Sequence, residues 1–212
     1  PGPRRAHAPD EPGSCSKSSA GGCDYVDIGL TWAGDMFGAK KSFLEQELQD
    51  WHVDCWSWLI RWGGGADRLR KTRLILPTKE FFPPTNAHGH ARAAHIFNTV
   101  KRLADMVKWP AKLVPQAELP RDVGPLMYVQ HGKTAAGTFS HDGNAAQITY
   151  DPATLDQPIA LIATFAHELG HYLLAGFPVL LPPHDMEEPA TDVASIFLGF
   201  GLFGASSAFN FQ

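Results

Sequence analysis

Cysteine is scarce in this chain: three in 212 residues, an odd number that makes no disulfide framework. Cys15 and Cys23 stand in a stretch without hydrophobic periodicity, and Cys55 stands among tryptophans, where a small core residue fits. Reduced cysteines suit a cytoplasmic setting. A basic surplus is also missing. The formal net charge is -4, which argues against a nucleic-acid partner. No apolar run of the signal-peptide kind stands near the start, and the chain opens on Pro1, as a processed product or a fragment would. Long apolar runs are few. The one uncharged stretch that approaches a membrane span follows Asp192, but Gly199, Gly201, Gly204, Ser206, Ser207 and Asn210 dilute it, so a buried helix is expected there. What remains is a globular balance, 44% hydrophobic and 19% charged, long enough for one core.

Residues 1–24 are rich in Pro, Gly, Ser and Ala and read as a flexible tail. Residues 25–70 read as an N-terminal helical extension. Within it Phe43, Leu44, Leu48, Trp51, Cys55, Trp58, Leu59 and Trp62 recur at helical spacing over Ser42–Trp62, and Gly63-Gly64-Gly65 ends the run. Its tryptophans are expected to pack on the rest of the domain; a partner or membrane surface is the alternative. The remaining stretch, 71–212, mixes strand and helix signals. Arg73–Leu76 is a strand candidate closed by Pro77. Thr85 or Asn86 is expected to cap a helix reaching Val107, with Ala93, Ile96, Phe97, Val100, Leu103, Ala104 and Val107 as its apolar stripe. His88, His90 and His95 near its start match no metal-ligand spacing and read as exposed. Further strand candidates are Ala111–Val114, Met127–Val129, and a hairpin of Gly137–Ser140 and Ala146–Tyr150 around Asp142-Gly143.

The hairpin leads into Thr164-Phe165-Ala166-His167-Glu168-Leu169-Gly170-His171, a His-Glu-x-x-His pattern on an expected helix. Residues four apart on a helix are neighbours, so His167 and His171 can offer nitrogens to one zinc ion. Glu168 is turned about 100° from His167, beside the metal rather than on it, the place of a general base. Pro158 suits the helix's first turn, and Ile159, Ile162, Ala163, Ala166, Leu169 and Leu173 form its buried stripe. Gly170 is unfavourable inside a helix and makes sense where another backbone or a ligand comes close.

Catalytic zinc takes three protein ligands and keeps a position for water. Six residues after His171 stands Phe177, which excludes a third histidine at that spacing. Glu187-Glu188-Pro189-Ala190-Thr191-Asp192 follows instead. Glu188 and Asp192 are one helical turn apart, so Glu188 can bind zinc while Asp192 accepts the outer N–H of His167. Glu187, His184 and Asp185 compete for the ligand role. Val193, Ile196, Phe197 and Phe200 give the following helix an apolar side.

The paired His-Glu-x-x-His and Glu-x-x-x-Asp motifs resemble those of the gluzincin metallopeptidases. The short spacing between them is similar to the minimal gluzincins and the ImmA/IrrE-like peptidases. Pro77-Thr78-Lys79-Glu80-Phe81-Phe82-Pro83 and the Glu-Pro-x-Thr-Asp run also resemble uncharacterised bacterial proteins, over about Leu74 to Phe211. No helix-turn-helix segment is visible, so a repressor-cleaving role does not carry over. The resemblance implies a zincin-like α+β fold over 71–212: a small twisted mixed sheet, its edge strand along a cleft, packed on the motif helix and a second ligand-bearing helix. It implies one Zn²⁺ and hydrolysis of a peptide or protein substrate. Tyr172, Tyr150 and His141 are candidate donors to the transition state. The rival readings are a zinc-bound regulatory or interaction module that cleaves nothing, and a membrane-associated protein.

Overall fold

Ala146–Tyr150 is the strand on which the sheet is built, because four of its five side chains are buried and both its edges are paired. The computed structural model describes residues 43–116, 136–141, 146–179 and 186–208. Leu44–Gln212 forms one compact unit. Among the described residues there are six α-helices and a three-stranded mixed sheet, an α+β architecture. In chain order the elements are α1 (Gln46–Trp62), α2 (Gly65–Lys71), α3 (Gly89–Leu103), β1 (Ala111–Pro115), β2 (Gly137–His141), β3 (Ala146–Tyr150), α4 (Pro158–Ala175), α5 (Glu187–Phe197) and α6 (Gly201–Ala208). The sheet order is β1-β3-β2, with β1 parallel and β2 antiparallel to β3. Leu113 and Phe139 both stand opposite Ile148. Among the described residues β2 is therefore an edge strand.

The α4 helix runs through the middle of the core. Pro158 occupies its first turn, and Leu161, Ile162, Phe165, Ala166, Leu169 and Leu173 are all buried. Its neighbours are β2 and β3 on the sheet and helices α3, α5 and α6. The ring of Phe165 meets Phe97 of α3 edge-on and Tyr150 of β3 in a T-shaped contact. A helix covered on this many sides needs more apolar residues than one stripe. Ile159 does not belong to that core: at the first turn it is 39% exposed.

α1 is held by Cys55 and Leu59, both fully buried, with Trp51, Trp56, Trp58 and Ile60 packed partly against the core. Burial pushes the Cys55 thiol up to about 11, which makes it an inert packing group. Gly64, at φ 113°, turns the chain into the short α2.

Several expectations are corrected. Among the described residues Arg73–Leu76 joins no sheet; Ile75 is buried and its N–H bonds the carbonyl of Gly199, so the segment rests on the α5–α6 junction. α3 starts at Gly89 after His88, because the Thr85 hydroxyl accepts the Ala87 N–H in a preceding turn and caps nothing. It ends at Leu103, where Asp105 takes φ 57° and Met106 N–H reaches back to Lys101 O. Val107 lies beyond that turn and is 63% exposed. Ile196 is likewise 50% exposed on α5. The C-terminal apolar stretch is two helices, not one, broken at Gly199 with φ 98°. Among the described residues no helix is long and apolar enough to cross a membrane. The tail at 1–24, the strand candidate Met127–Val129, the turn at 142–145 and the residues 180–185 lie outside the described residues.

Gly199 supplies a test of this packing. A Cβ there would strain the left-handed backbone and come within 2.3 Å of the Arg73 carbonyl. Gly199→Ala should lower the unfolding free energy by about 1–3 kcal/mol in urea titration. Val107→Ala, on the exposed turn, should stay within about 0.5 kcal/mol of wild type. Equal midpoints for Gly199→Ala and wild type would contradict the break between α5 and α6.

Candidate metal centre

His167 and His171 leave the exposed side of α4 one turn apart, their rings 4.8 Å between centroids and nearly perpendicular. α5 crosses close to this face. The crossing depends on Gly170: a Cβ there would stand 3.0 Å from both Cγ2 and the carbonyl oxygen of Thr191. The partner that comes close is thus the α5 backbone. Glu187 and Glu188 lie in the first turn of α5, where carboxylates are favoured by the helix dipole, and Pro189 fits because that turn has no N–H to supply.

The result is a convergence of three side chains. His167 Nε2 is 3.0 Å from Glu188 Oε2, and His171 Nε2 is 3.5 Å from Glu188 Oε1. One ligand atom from each of His167, His171 and Glu188 lies within 4.8 Å of the others. The remaining ring nitrogens face α5. His167 Nδ1 is 3.0 Å from Asp192 Oδ1, and His171 Nδ1 is 3.1 Å from Thr191 Oγ1. Glu187 Oε1 lies 3.9 Å from His171 Nδ1, on the outer side of that ring, so Glu188 faces the two Nε2 atoms. His184 and Asp185 lie outside the described residues.

The charges reinforce the geometry. Burial alone would lower the His167 pKa, but hydrogen bonds to Asp192 and Glu188 and the charges of Glu168 and Asp192 outweigh it and raise it to about 10. The same bonds from His167 and then His171 hold the Glu188 carboxyl far below its usual range. Both shifts favour a positive charge on His167 beside a negative one on Glu188.

Glu168 is different. Only 5% of it is exposed. Burial pushes its pKa up, the charges of His167 and His171 pull it back, and Glu188 raises it again, to about 7. A carboxyl group poised near neutrality can take up and release a proton at physiological pH.

The candidate transition-state donors are dispersed. The Tyr172 hydroxyl donates to the Pro110 carbonyl at 2.9 Å. Tyr150 Oη pairs with His90 Nδ1 at 3.2 Å. His141 closes β2, its ring 6.1 Å from that of Tyr172. Two residues escaped the sequence reading. Phe139 of β2 stacks parallel to His171, interplanar angle 6°, and so walls the site from the edge strand. Thr191 touches His171 directly. Its position three residues after Glu188 puts both on one helical face, the signal that could have found it. Compared with known proteins, the chain matches no family model, no curated protein and no solved structure.

The site also sets a pH dependence. Glu168 has a folded pKa raised from 4.5 to about 7, so its charged form opposes folding. That term is absent below the unfolded value and grows as pH rises to about 7. In chelator-treated protein Glu168→Gln should therefore match wild type near pH 4 and exceed it at pH 8, by up to about 3 kcal/mol. Thermal unfolding across that range checks it; parallel curves for the two proteins would contradict the burial of a titrating carboxyl group.

Proposed function

We propose that this chain is a zinc-dependent peptidase of gluzincin type, with α4, α5 and the edge strand β2 forming a zincin-like core. The observation that carries the reading is the meeting of His167 Nε2, His171 Nε2 and a Glu188 oxygen beside a buried Glu168. The two carboxylate–imidazole separations suit a zinc ion. Bond lengths near 2.1 Å at a tetrahedral centre put neighbouring donors about 3.4 Å apart. The distances of 3.0 and 3.5 Å from Glu188 to the two imidazoles bracket that value. Two imidazoles and one carboxylate are ligands that zinc takes in hydrolases, three in number with room for water.

A Zn²⁺ held by His167, His171 and Glu188 would supply Lewis acidity for a hydrolytic water and a scissile carbonyl. Glu168 would take a proton from the attacking water and deliver it to the leaving amine. Asp192 fixes His167 by accepting its Nδ1–H, so that Nε2 is the nitrogen left to give up its proton on the Glu188 side and offer its lone pair to a metal. β2 has one edge free of sheet partners among the described residues, and Phe139 stands on it beside His171. An extended peptide or protein segment can hydrogen-bond along such an edge, which brings its carbonyl groups past the site.

Glu168→Gln should retain one zinc per chain by elemental analysis and lose hydrolysis of a broad peptide library. Survival of hydrolysis would remove Glu168 from the base role. A wild-type protein that holds zinc and cleaves nothing would instead fit a metal-bound interaction module. Glu188→Ala should weaken zinc binding by at least about tenfold, and Glu187→Ala should not. The reverse order would transfer the ligand role to Glu187.

A further inference from the structure

The Thr191 side chain is fully buried, and its hydroxyl is within hydrogen-bond distance of two partners. One is the Glu187 carbonyl at 2.9 Å, the other His171 Nδ1 at 3.1 Å. A hydroxyl has a single proton. A carbonyl oxygen can only accept, so for both contacts to be hydrogen bonds that proton goes to Glu187 O. The oxygen of Thr191 is then the acceptor toward the imidazole, and His171 Nδ1 must carry the proton of that bond.

From this count we propose that Thr191 is the positioning residue of His171: its hydroxyl, oriented by the Glu187 carbonyl, holds the ring as the Nδ1–H tautomer and leaves the Nε2 lone pair available to a metal on the Glu188 side. The inference rests on the metal reading above. Adjacent residues of α5 thereby divide one task. Asp192 sets His167, and Thr191 sets His171. The hydroxyl has a competitor to overcome. Glu188 Oε1, 3.5 Å from His171 Nε2, would accept a proton from that nitrogen, and a protonated Nε2 cannot bind a metal. Glu187 Oε1, at 3.9 Å from Nδ1, is too long for a hydrogen bond. Thr191 is the group at bonding distance that tips the ring the other way.

The close crossing at Gly170 is part of the device. It lets Thr191 reach the imidazole without a water between them. Threonine also suits the place sterically, since its methyl group fills the contact over Gly170 while its hydroxyl faces the ring.

The test uses the full chain and three variants. Thr191→Val keeps the shape and removes the hydroxyl, Thr191→Ser keeps the hydroxyl, and Thr191→Ala removes it without bulk should valine fail to fold. The first readout is the ¹⁵N shift of the two His171 ring nitrogens in chelator-treated protein at pH 8.5. Wild type and Thr191→Ser should show a protonated Nδ1 and a bare Nε2; Thr191→Val or Thr191→Ala should shift toward a protonated Nε2. The second is zinc affinity by competition with a chromogenic chelator. Loss of the hydroxyl should weaken it by about 10–100-fold, with Thr191→Ser at the wild-type value. Zinc binding and tautomer both unchanged in Thr191→Val would overturn the proposal and leave the metal reading standing. Wild-type protein that binds no zinc would bring down both.

Discussion

The close crossing of α4 and α5 is the constraint on which the rest of the site depends. With glycine at 170, the α5 backbone comes to van der Waals distance of α4, and four side chains of that helix reach the two imidazoles. A larger residue would push Thr191 outward, and Glu188 and Asp192 with it. The buried apolar groups of α4 and α5 make the crossing rigid. Leu169, Ala190, Ala194 and Phe197 lie in one continuous core with the sheet. Packing therefore decides where the polar atoms stand, and the polar atoms need little further ordering to meet. This economy matters because side-chain ordering is costly and surface ion pairs return little.

The electrostatics follow from the same placement. Glu187, Glu188 and Asp192 stand around two imidazoles, and Glu168 adds a buried carboxyl group behind them. So many acidic groups at one end of a helix repel one another unless positive charge is present. A proton on His167 is one answer, which is why its pKa rises to about 10. A divalent cation between the Nε2 atoms and Glu188 is a stronger one, and it competes with that proton. The Glu168 carboxyl pKa is raised to about 7, because burial outweighs the pull of the two imidazoles.

The sequence was most legible where one period sufficed. His167 and His171 needed only the four-residue repeat of a helix, and Glu188 with Asp192 needed the same repeat again. The hairpin of β2 and β3 was legible from Asp142-Gly143 between two short strand candidates, because pairing across a short turn is local. Long-range distance was not legible. That α5 approaches α4 closely enough for Thr191 to touch His171 depends on two surfaces far apart in sequence. The parallel pairing of β1 with β3 and the isolation of Arg73–Leu76 from the sheet among the described residues are of the same kind. Helix ends misled for another reason. Ile159, Val107 and Ile196 continue an apolar period past the point where a neighbour covers it. Thr85 has a capping side chain but uses it in a local turn. Tyr172 was a candidate donor by proximity in sequence, and its hydroxyl is engaged by the Pro110 carbonyl.

The most direct measurement of the central claim is a crystal of zinc-loaded protein with an anomalous difference map at the zinc edge. The expected result is a single peak about 2.1 Å from His167 Nε2, His171 Nε2 and one Glu188 oxygen, with one further position open to solvent. A map without a shared peak, or with the three side chains turned to separate places, would contradict it.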